Sequence, residues 1–133
     1  MALAVVPALP GHGETVLVAE DDPSVRSLVK SVPERNGYRV LAAADGQAAL
    51  DLARQEGGRI DLLLSDVIMP RMNGRALRDA LSTQYPGLRV LFMSGYAGDV
   101  LTGIGGLDGD VVLVPKPFTP DILLDGVRKA LAG

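Results

Sequence analysis

The sequence predicts an α/β domain in which a parallel five-stranded sheet is covered by helices on both faces. Five short apolar runs alternate with amphipathic segments along the chain, and Gly, Pro or Asp residues separate them. Strands that are joined through helices run parallel, and right-handed crossovers place those helices on both faces. The composition agrees, because 47% of the residues are hydrophobic but only 4% are aromatic, as expected of a sheet that aliphatic side chains bury on both sides.

The candidate strands are short, apolar and bounded by turn residues, which is typical of buried parallel strands. They comprise residues 15–19, 38–42, 60–64, 88–93 and 111–114. In open sheets of this kind, ligands bind beyond the carboxyl ends of the strands. The residues that follow each strand are therefore the candidates for a functional site.

Helix signals lie between and after these strands. Asp22 is placed to cap the first helix with Pro23 at its first position, where a missing N–H costs nothing. Pro33 removes a hydrogen bond further along, so we expect a kink or an early end there. The other clear helices are predicted to begin at Asp45, Arg75 and Thr119, the first of these ending at Gly57 and Gly58.

The segment from residue 95 to residue 109 is rich in glycine, so any helix between Ala97 and Leu107 should be short and loosely held.

Length and charge limit the classes of protein. The 133 residues suffice for one domain, and we assign residues 1–13 to an N-terminal tail or linker and residues 14–133 to the domain. The net charge of −3 argues against direct nucleic-acid binding, which needs clustered Lys and Arg. No apolar run is long enough for a membrane span, and the absence of cysteine fits a cytoplasmic location.

Charged and polar residues follow four of the five strands. Glu20, Asp21 and Asp22 come after the first strand, Asp66 after the third, Ser94 after the fourth and Lys116 after the fifth. Two carboxylates about 4 Å apart repel by about 4 kcal/mol at an effective dielectric constant near 20. The lysine offsets part of this repulsion, and a Mg²⁺ ion with oxygen ligands would offset the rest. A carboxylate oxygen of Asp66 could then attack a phosphoryl group.

Four motifs along the chain resemble those of the CheY-like receiver domain of bacterial two-component response regulators. They are Glu20-Asp21-Asp22-Pro23, the run from Ser65 to Pro70 with Met72-Asn73-Gly74 behind it, the run from Met93 to Ala97, and Pro115-Lys116-Pro117-Phe118. The resemblance extends from about residue 15 to residue 131. It implies a flavodoxin-like (βα)5 three-layer sandwich with strand order 2-1-3-4-5.

The resemblance also implies a role for each residue at the strand ends. Asp66 is expected to be the phosphoacceptor, Ser94 the switch hydroxyl and Lys116 the partner of the phosphoryl oxygens. Mg²⁺ is expected to bind Asp21, Asp66 and the backbone carbonyl of Ile68, with Glu20 acting through a water molecule. A cis Lys116–Pro117 bond is expected as well.

A histidine kinase or a histidine phosphotransfer domain is the partner that the resemblance implies, and a homodimer is a further expectation. The domain would catalyse only its own phosphorylation and dephosphorylation. The residues of these motifs are especially similar to those of receivers attached to hybrid sensor histidine kinases. Two alternatives are open for the parent protein, a hybrid kinase and a stand-alone receiver. One departure is Leu113, which stands where the family usually has a switch aromatic.

Three other functions are weighed against this one. A phosphohydrolase with a nucleophilic Asp would need an acid or base two residues later, where this chain has Ile68. A flavin-binding module would need a phosphate loop after the first strand, where the acidic run would repel a phosphate. The third is a phosphorylation-independent interaction module, which Mg²⁺ titration would test.

Overall fold

The computed structural model describes residues 11–95 and 112–132, in which strands and helices alternate. The elements are β1 (Thr15–Ala19), α1 (Pro23–Arg35), β2 (Arg39–Ala43), α2 (Gly46–Glu56), β3 (Leu62–Asp66), α3 (Gly74–Gln84), β4 (Arg89–Ser94), β5 (Val112–Pro115) and α4 (Pro120–Ala132). Each predicted strand is present within two residues of its expected bounds. The prediction of a weak glycine-rich helix between Ala97 and Leu107 lies outside the described residues.

The five strands form one parallel sheet in the order β2-β1-β3-β4-β5, which confirms the predicted flavodoxin-like α/β fold. Strand β1 lies between β2 and β3, and Leu17 is in register with both Leu41 and Leu63. This order places the ends of β1 and β3 side by side at the centre of the sheet, with β5 at one edge.

Successive residues of the strands point to opposite faces of the sheet and fill two apolar clusters. Val18, Leu64 and Met93 lie in the cluster beneath α1 and α4. Leu17 and Phe92 lie in the cluster beneath α2 and α3. The central strands are buried on both faces, as the aliphatic composition predicts, and Ser65, Asp66 and Ser94 stand at the carboxyl ends of β3 and β4.

Side chains at the predicted caps hold the helix starts. The carboxylate of Asp22 accepts hydrogen bonds from the amides of Ser24 and Val25 at 2.8 and 3.3 Å, which confirms the predicted cap of α1. Asp45 caps α2 in the same way. That helix ends at Glu56 and is capped by Gly57, whose φ of 64° is the left-handed conformation that glycine adopts readily.

Helix α1 continues two residues past Pro33 before it ends at Arg35, so the proline does not end the helix at its own position. Pro33 is buried, and its carbonyl accepts hydrogen bonds from the amides of Asn36 and Tyr38. These bonds tie the end of α1 to the start of β2. Among the described residues, no helix is both long and apolar enough to cross a bilayer.

The last residues of the predicted tail contact the domain. The amides of Gly11 and Gly13 donate to the carbonyls of Asn36 and Gly37 at 2.6 and 2.9 Å. A Cβ atom on Gly11 would lie 2.7 Å from the ring of Tyr38, so a glycine is required for this approach. The segment just before β1 therefore lies against the α1–β2 loop.

Candidate functional site

Three carboxylates meet where β1 and β3 end. Ala19 pairs with Ser65 at the last step of the β1–β3 ladder, so the residues that follow, Glu20 and Asp66, lie side by side. Glu20 is fully buried, Asp66 is 4% exposed and Asp21 is exposed. Oxygen atoms from the three carboxylates lie within 4.8 Å of one another. The sequence-based prediction of crowded carboxylates at this edge is therefore realised in the fold.

Lys116 bridges the two buried carboxylates. Its Nζ atom lies 2.8 Å from Oε1 of Glu20 and 2.6 Å from Oδ1 of Asp66. The lysine follows β5 at the edge of the sheet, and its amide donates to the carbonyl of Ser94 at 2.7 Å. The bond between Lys116 and Pro117 is cis, as predicted.

Burial and close contact shift the pKa values of the three ionisable groups in this cluster. Burial and, after it, the neighbouring Glu20 raise the pKa of Asp66, Lys116 lowers it, and the net result is a pKa of about 8. Burial also acts to raise the pKa of Glu20, but hydrogen bonds with Asp66 and Lys116 outweigh it and lower that pKa. Burial disfavours the charged form of Lys116, yet its two carboxylate partners raise its pKa. One ammonium group therefore does not offset the burial of both carboxylates, and the balance shifts Asp66 toward its protonated form.

The backbone around Asp66 is held from several sides. The hydroxyl of Ser65 donates to the Asp66 carbonyl at 2.8 Å, and the amide of Val67 donates to the carbonyl of Met93 at 3.0 Å. The amide of Gly74 donates to the carbonyl of Val67 at 2.8 Å. A Cβ atom on Gly74 would lie 2.2 Å from the Asp66 carbonyl oxygen, so only glycine fits there.

The remaining predicted residues lie around this cluster. Ser94 ends β4, the strand between β3 and β5, and it is buried. Ile68 lies in the loop two residues after Asp66 and is 57% exposed. Leu113 is partly buried beside Phe92, its partner in the β4–β5 ladder. The metal role of the Ile68 carbonyl and the switch role of Ser94 stay predictions.

The residues present fit a hard divalent cation. Within the described part of the chain, Oδ2 of Asp66 is buried and has no hydrogen-bond partner. An unsatisfied carboxylate oxygen that is removed from water is costly, and a bound cation would satisfy it. Glu20, Asp21 and Asp66 supply only oxygen donors, which Mg²⁺ prefers. Asp22, by contrast, is engaged in capping α1.

Arg26 also reaches the site, and the sequence analysis did not single it out. Its Nη1 atom donates to the backbone carbonyl of Glu20 at 2.9 Å. The available signal was its position one helical turn after Asp22, because helical side chains point toward the N-terminus of their helix. Asn73, which caps α3 by accepting from the amide of Ala76, was likewise missed as a cap.

An apolar pocket opens beside Lys116. Its volume is about 400 Å³, and it lies between the first two turns of α1 and the loop that follows β5. Its lining consists of Val25, Leu28, Gly95, Lys116, Pro117 and Phe118. The lysine that contacts both buried carboxylates thus also forms part of the wall of a mostly apolar depression.

Comparisons with known proteins point to one family. The family model for the response regulator receiver domain matches residues 16–128. The sensor kinase CckA of Brucella abortus (strain 2308) is 36% identical over 117 residues, which are 88% of this chain and 12% of that kinase. The response regulator receiver protein CpdR of the same organism is 30% identical, covering 87% of this chain and 95% of CpdR.

A solved structure agrees with both sequence relatives. The chemotaxis protein CheY4 of Vibrio cholerae superposes with a TM-score of 0.79 at 31% identity, covering 90% of this chain and 99% of that chain. The region that the family model matches, residues 16–128, includes every residue of the carboxylate–lysine cluster. The chain thus resembles nearly the whole of a receiver protein, and only a small part of the sensor kinase.

Proposed function

This chain belongs to the response regulator receiver domain family, and we propose that it accepts a phosphoryl group from a phosphohistidine onto Asp66 and relays the signal through a change of shape. The observation that carries the proposal is the buried cluster in which Lys116 contacts both Glu20 and Asp66 while Oδ2 of Asp66 lacks a partner among the described residues. Such a cluster suits a reaction that brings a dianionic phosphoryl group and a cation together.

The proposed step transfers the phosphoryl group between two side chains. A carboxylate oxygen of Asp66 forms the new bond to phosphorus as the bond from phosphorus to the histidine nitrogen breaks. The imidazole keeps the electron pair of that bond and takes up a proton. Lys116, which already lies 2.6 Å from Asp66, neutralises charge on the transferred oxygens.

Mg²⁺ would be held by Asp21 and Asp66, by the carbonyl of Ile68 and, through water, by Glu20. When bound, it would supply positive charge that offsets the charge of the carboxylates and of the incoming phosphoryl group. The ionised carboxylate of Asp66 is the form that acts as the nucleophile. A neighbouring cation favours this form because it stabilises the negative charge.

The donor is proposed to be a histidine kinase or a histidine phosphotransfer domain. The pocket beside Lys116 supports this, because its apolar wall between α1 and Phe118 would accommodate side chains of a partner while leaving the lysine accessible. The relationship to a sensor kinase supports it as well. A homodimer and a cytoplasmic location stay predictions.

The proposed output is a local rearrangement around Ser94. Its hydroxyl would move toward the phosphoryl group. Leu113 lacks a ring, so it cannot report that movement by the rotation of an aromatic side chain. The signal would instead pass through the loop that follows β5.

A second candidate concerns the parent protein. The sensor kinase relative favours a receiver module within a hybrid histidine kinase, because this chain matches 88% of its own length to a part of that kinase. The receiver protein relative, of which 95% is covered, favours a stand-alone relay protein. In both cases Asp66 performs the same step.

Incubation with Mg²⁺ and a small phosphodonor such as acetyl phosphate tests the proposal by intact-mass spectrometry. We expect the mass to increase by one phosphoryl group, and the increase should require Mg²⁺. Asp66→Asn should abolish it, whereas Asp51→Asn, an exposed carboxylate on α2, should not. An unchanged mass in the wild type, with Mg²⁺ present, would favour the phosphorylation-independent interaction module.

A further inference from the structure

We infer that Arg26 is a positioning residue that sets the geometry of the acidic segment and thereby the affinity of the site for a divalent cation. The inference rests on the proposed function, because it concerns the same metal site. It starts from one contact, the hydrogen bond of 2.9 Å from Nη1 of Arg26 to the backbone carbonyl of Glu20.

Arg26 holds the acidic segment at two points. Its main-chain amide donates to the carbonyl of Asp22 at 2.8 Å, and its side chain donates to the carbonyl of Glu20. Asp21 lies between these two residues. Arg26 therefore holds the peptide group that precedes Asp21, through the Glu20 carbonyl, and the peptide group that follows Asp22, through the Asp22 carbonyl.

The same segment is anchored on its other side by Glu20. The amide of Glu20 donates to the carbonyl of Ala43 at 3.1 Å, and its side chain accepts from the amide of Asp22 at 3.0 Å. These bonds hold the amides of Glu20 and Asp22, but neither involves the peptide group between Glu20 and Asp21. The bond from Arg26 to the Glu20 carbonyl holds that peptide group.

Asp21 depends on this backbone constraint more than its neighbours do. Glu20 and Asp66 are buried and are held by Lys116, whereas Asp21 is exposed and no hydrogen bond joins its carboxylate to another described residue. Its carboxylate nevertheless lies within 4.8 Å of the other two. The position of the Asp21 carboxylate is therefore set by the backbone and not by side-chain contacts.

Charge and geometry make opposite predictions for Arg26. A guanidinium close to the site repels a divalent cation, so its removal would strengthen binding if charge were all that mattered. If Arg26 acts by positioning, its removal weakens binding, because the carboxylate of Asp21 loses its fixed geometry. The sign of the change in affinity therefore separates the two roles.

The experiment measures the Mg²⁺ dissociation constant of the full chain by NMR titration, followed at backbone amides near the site. We expect Arg26→Met to raise the dissociation constant by about tenfold, as other changes next to metal ligands do. Arg26→Lys keeps the charge and a donor, so it should restore part of the affinity. Arg35→Met removes an exposed arginine about 14 Å further along the same helix and should change nothing.

The thermal midpoint without metal is measured on the same variants. A purely structural role would lower the midpoint of Arg26→Met and leave the dissociation constant of the folded protein unchanged, which would overturn the inference. Tighter binding by Arg26→Met would overturn it as well. If the wild type itself neither binds Mg²⁺ nor accepts a phosphoryl group, the proposed function fails together with the inference.

Discussion

Two charge clusters in this domain have opposite ratios of positive to negative groups, and the pKa values of their aspartates shift in opposite directions. At the sheet edge, the single ammonium of Lys116 contacts the carboxylates of Glu20 and Asp66. On α4, the single carboxylate of Asp125 contacts Arg128 at 2.8 Å and Lys129 at 3.0 Å. The pKa of Asp66 is raised to about 8, whereas hydrogen bonds from Lys129 and Arg128 lower the pKa of Asp125.

The difference shows what burial adds to an ion pair. Water screens the cluster on α4, so its excess positive charge costs little and its pairs contribute little to stability. The cluster at the sheet edge is shielded from water, so a second negative charge there is costly. This cost is seen in the raised pKa of Asp66 and in its Oδ2 atom, which has no hydrogen-bond partner among the described residues. The buried cluster is therefore ready to bind a cation, and the exposed cluster is not.

Removal of the shared cation should have the largest effect. We expect Lys116→Met to lower the free energy of unfolding at pH 9 by about 2–3 kcal/mol, because two buried carboxylates lose their counter-ion. Lys30→Met breaks an exposed pair with Glu34 and should cost about 0.5 kcal/mol or less. Urea unfolding of both variants measures the difference, and equal losses would show that burial does not matter.

Binding of a metal should stabilise the buried cluster by a somewhat smaller amount. Saturating Mg²⁺ is expected to raise the free energy of unfolding by about 2 kcal/mol, because only the folded state assembles the three carboxylates. Thermal unfolding with Mg²⁺ and with a chelator measures the gain. Asp21→Asn should reduce the gain and Asp51→Asn should preserve it. If the gain in the free energy of unfolding persisted in Asp21→Asn, the Asp21 carboxylate would not be a ligand of the metal.

The pH dependence of stability isolates Asp66. Its folded-state pKa of about 8 lies above its value in the unfolded chain. Between about pH 4 and pH 8 the folded state keeps a proton that the unfolded chain has released. The contribution of this carboxyl to stability is therefore present at low pH and lost as the pH rises through about 8.

Asp66→Asn cannot ionise and should escape this loss. Without metal, we expect it to gain at least about 1 kcal/mol over the wild type between pH 5 and pH 9. Urea unfolding at both values tests the expectation. A difference between wild type and variant that is constant with pH would mean that Asp66 is ionised throughout.

The exposed cluster should respond least. Asp125→Asn removes the carboxylate that two cations share on α4, and we expect no measurable change in the urea midpoint, because water replaces the lost contacts. A large loss of stability in this variant would mean that the comparison between the two clusters does not depend on burial.

Most of the fold could be predicted from local sequence patterns. The aliphatic runs predict the strands because the middle of a strand buried on both faces is filled by apolar side chains, and Asp22, Asp45 and Gly57 mark helix ends because they are suited to capping. The strand bounds were off by up to two residues, because Leu62–Asp66 continues into the polar residues of the site. No local pattern shows that Pro33 lies buried inside α1.

The site could be predicted in composition but not in detail. That Glu20, Asp66 and Lys116 would share one edge follows from their positions after parallel strands. The bridging of both carboxylates by one lysine, the bond from Arg26 to the Glu20 carbonyl and the close approach of Gly74 to the Asp66 carbonyl depend on distances of a few ångströms. Residues that are far apart in sequence set those distances.

By itself, the sequence determined which residues form strands and helices and which polar groups follow the strands, because hydrophobic periodicity and capping act over a few neighbouring residues. The tertiary structure alone decided how strongly the charges interact. Burial of Asp66 beneath the sheet edge, with one lysine shared between two carboxylates, is a property of packing, since the energy of a charge depends on the water and the neighbours that the folded chain leaves around it.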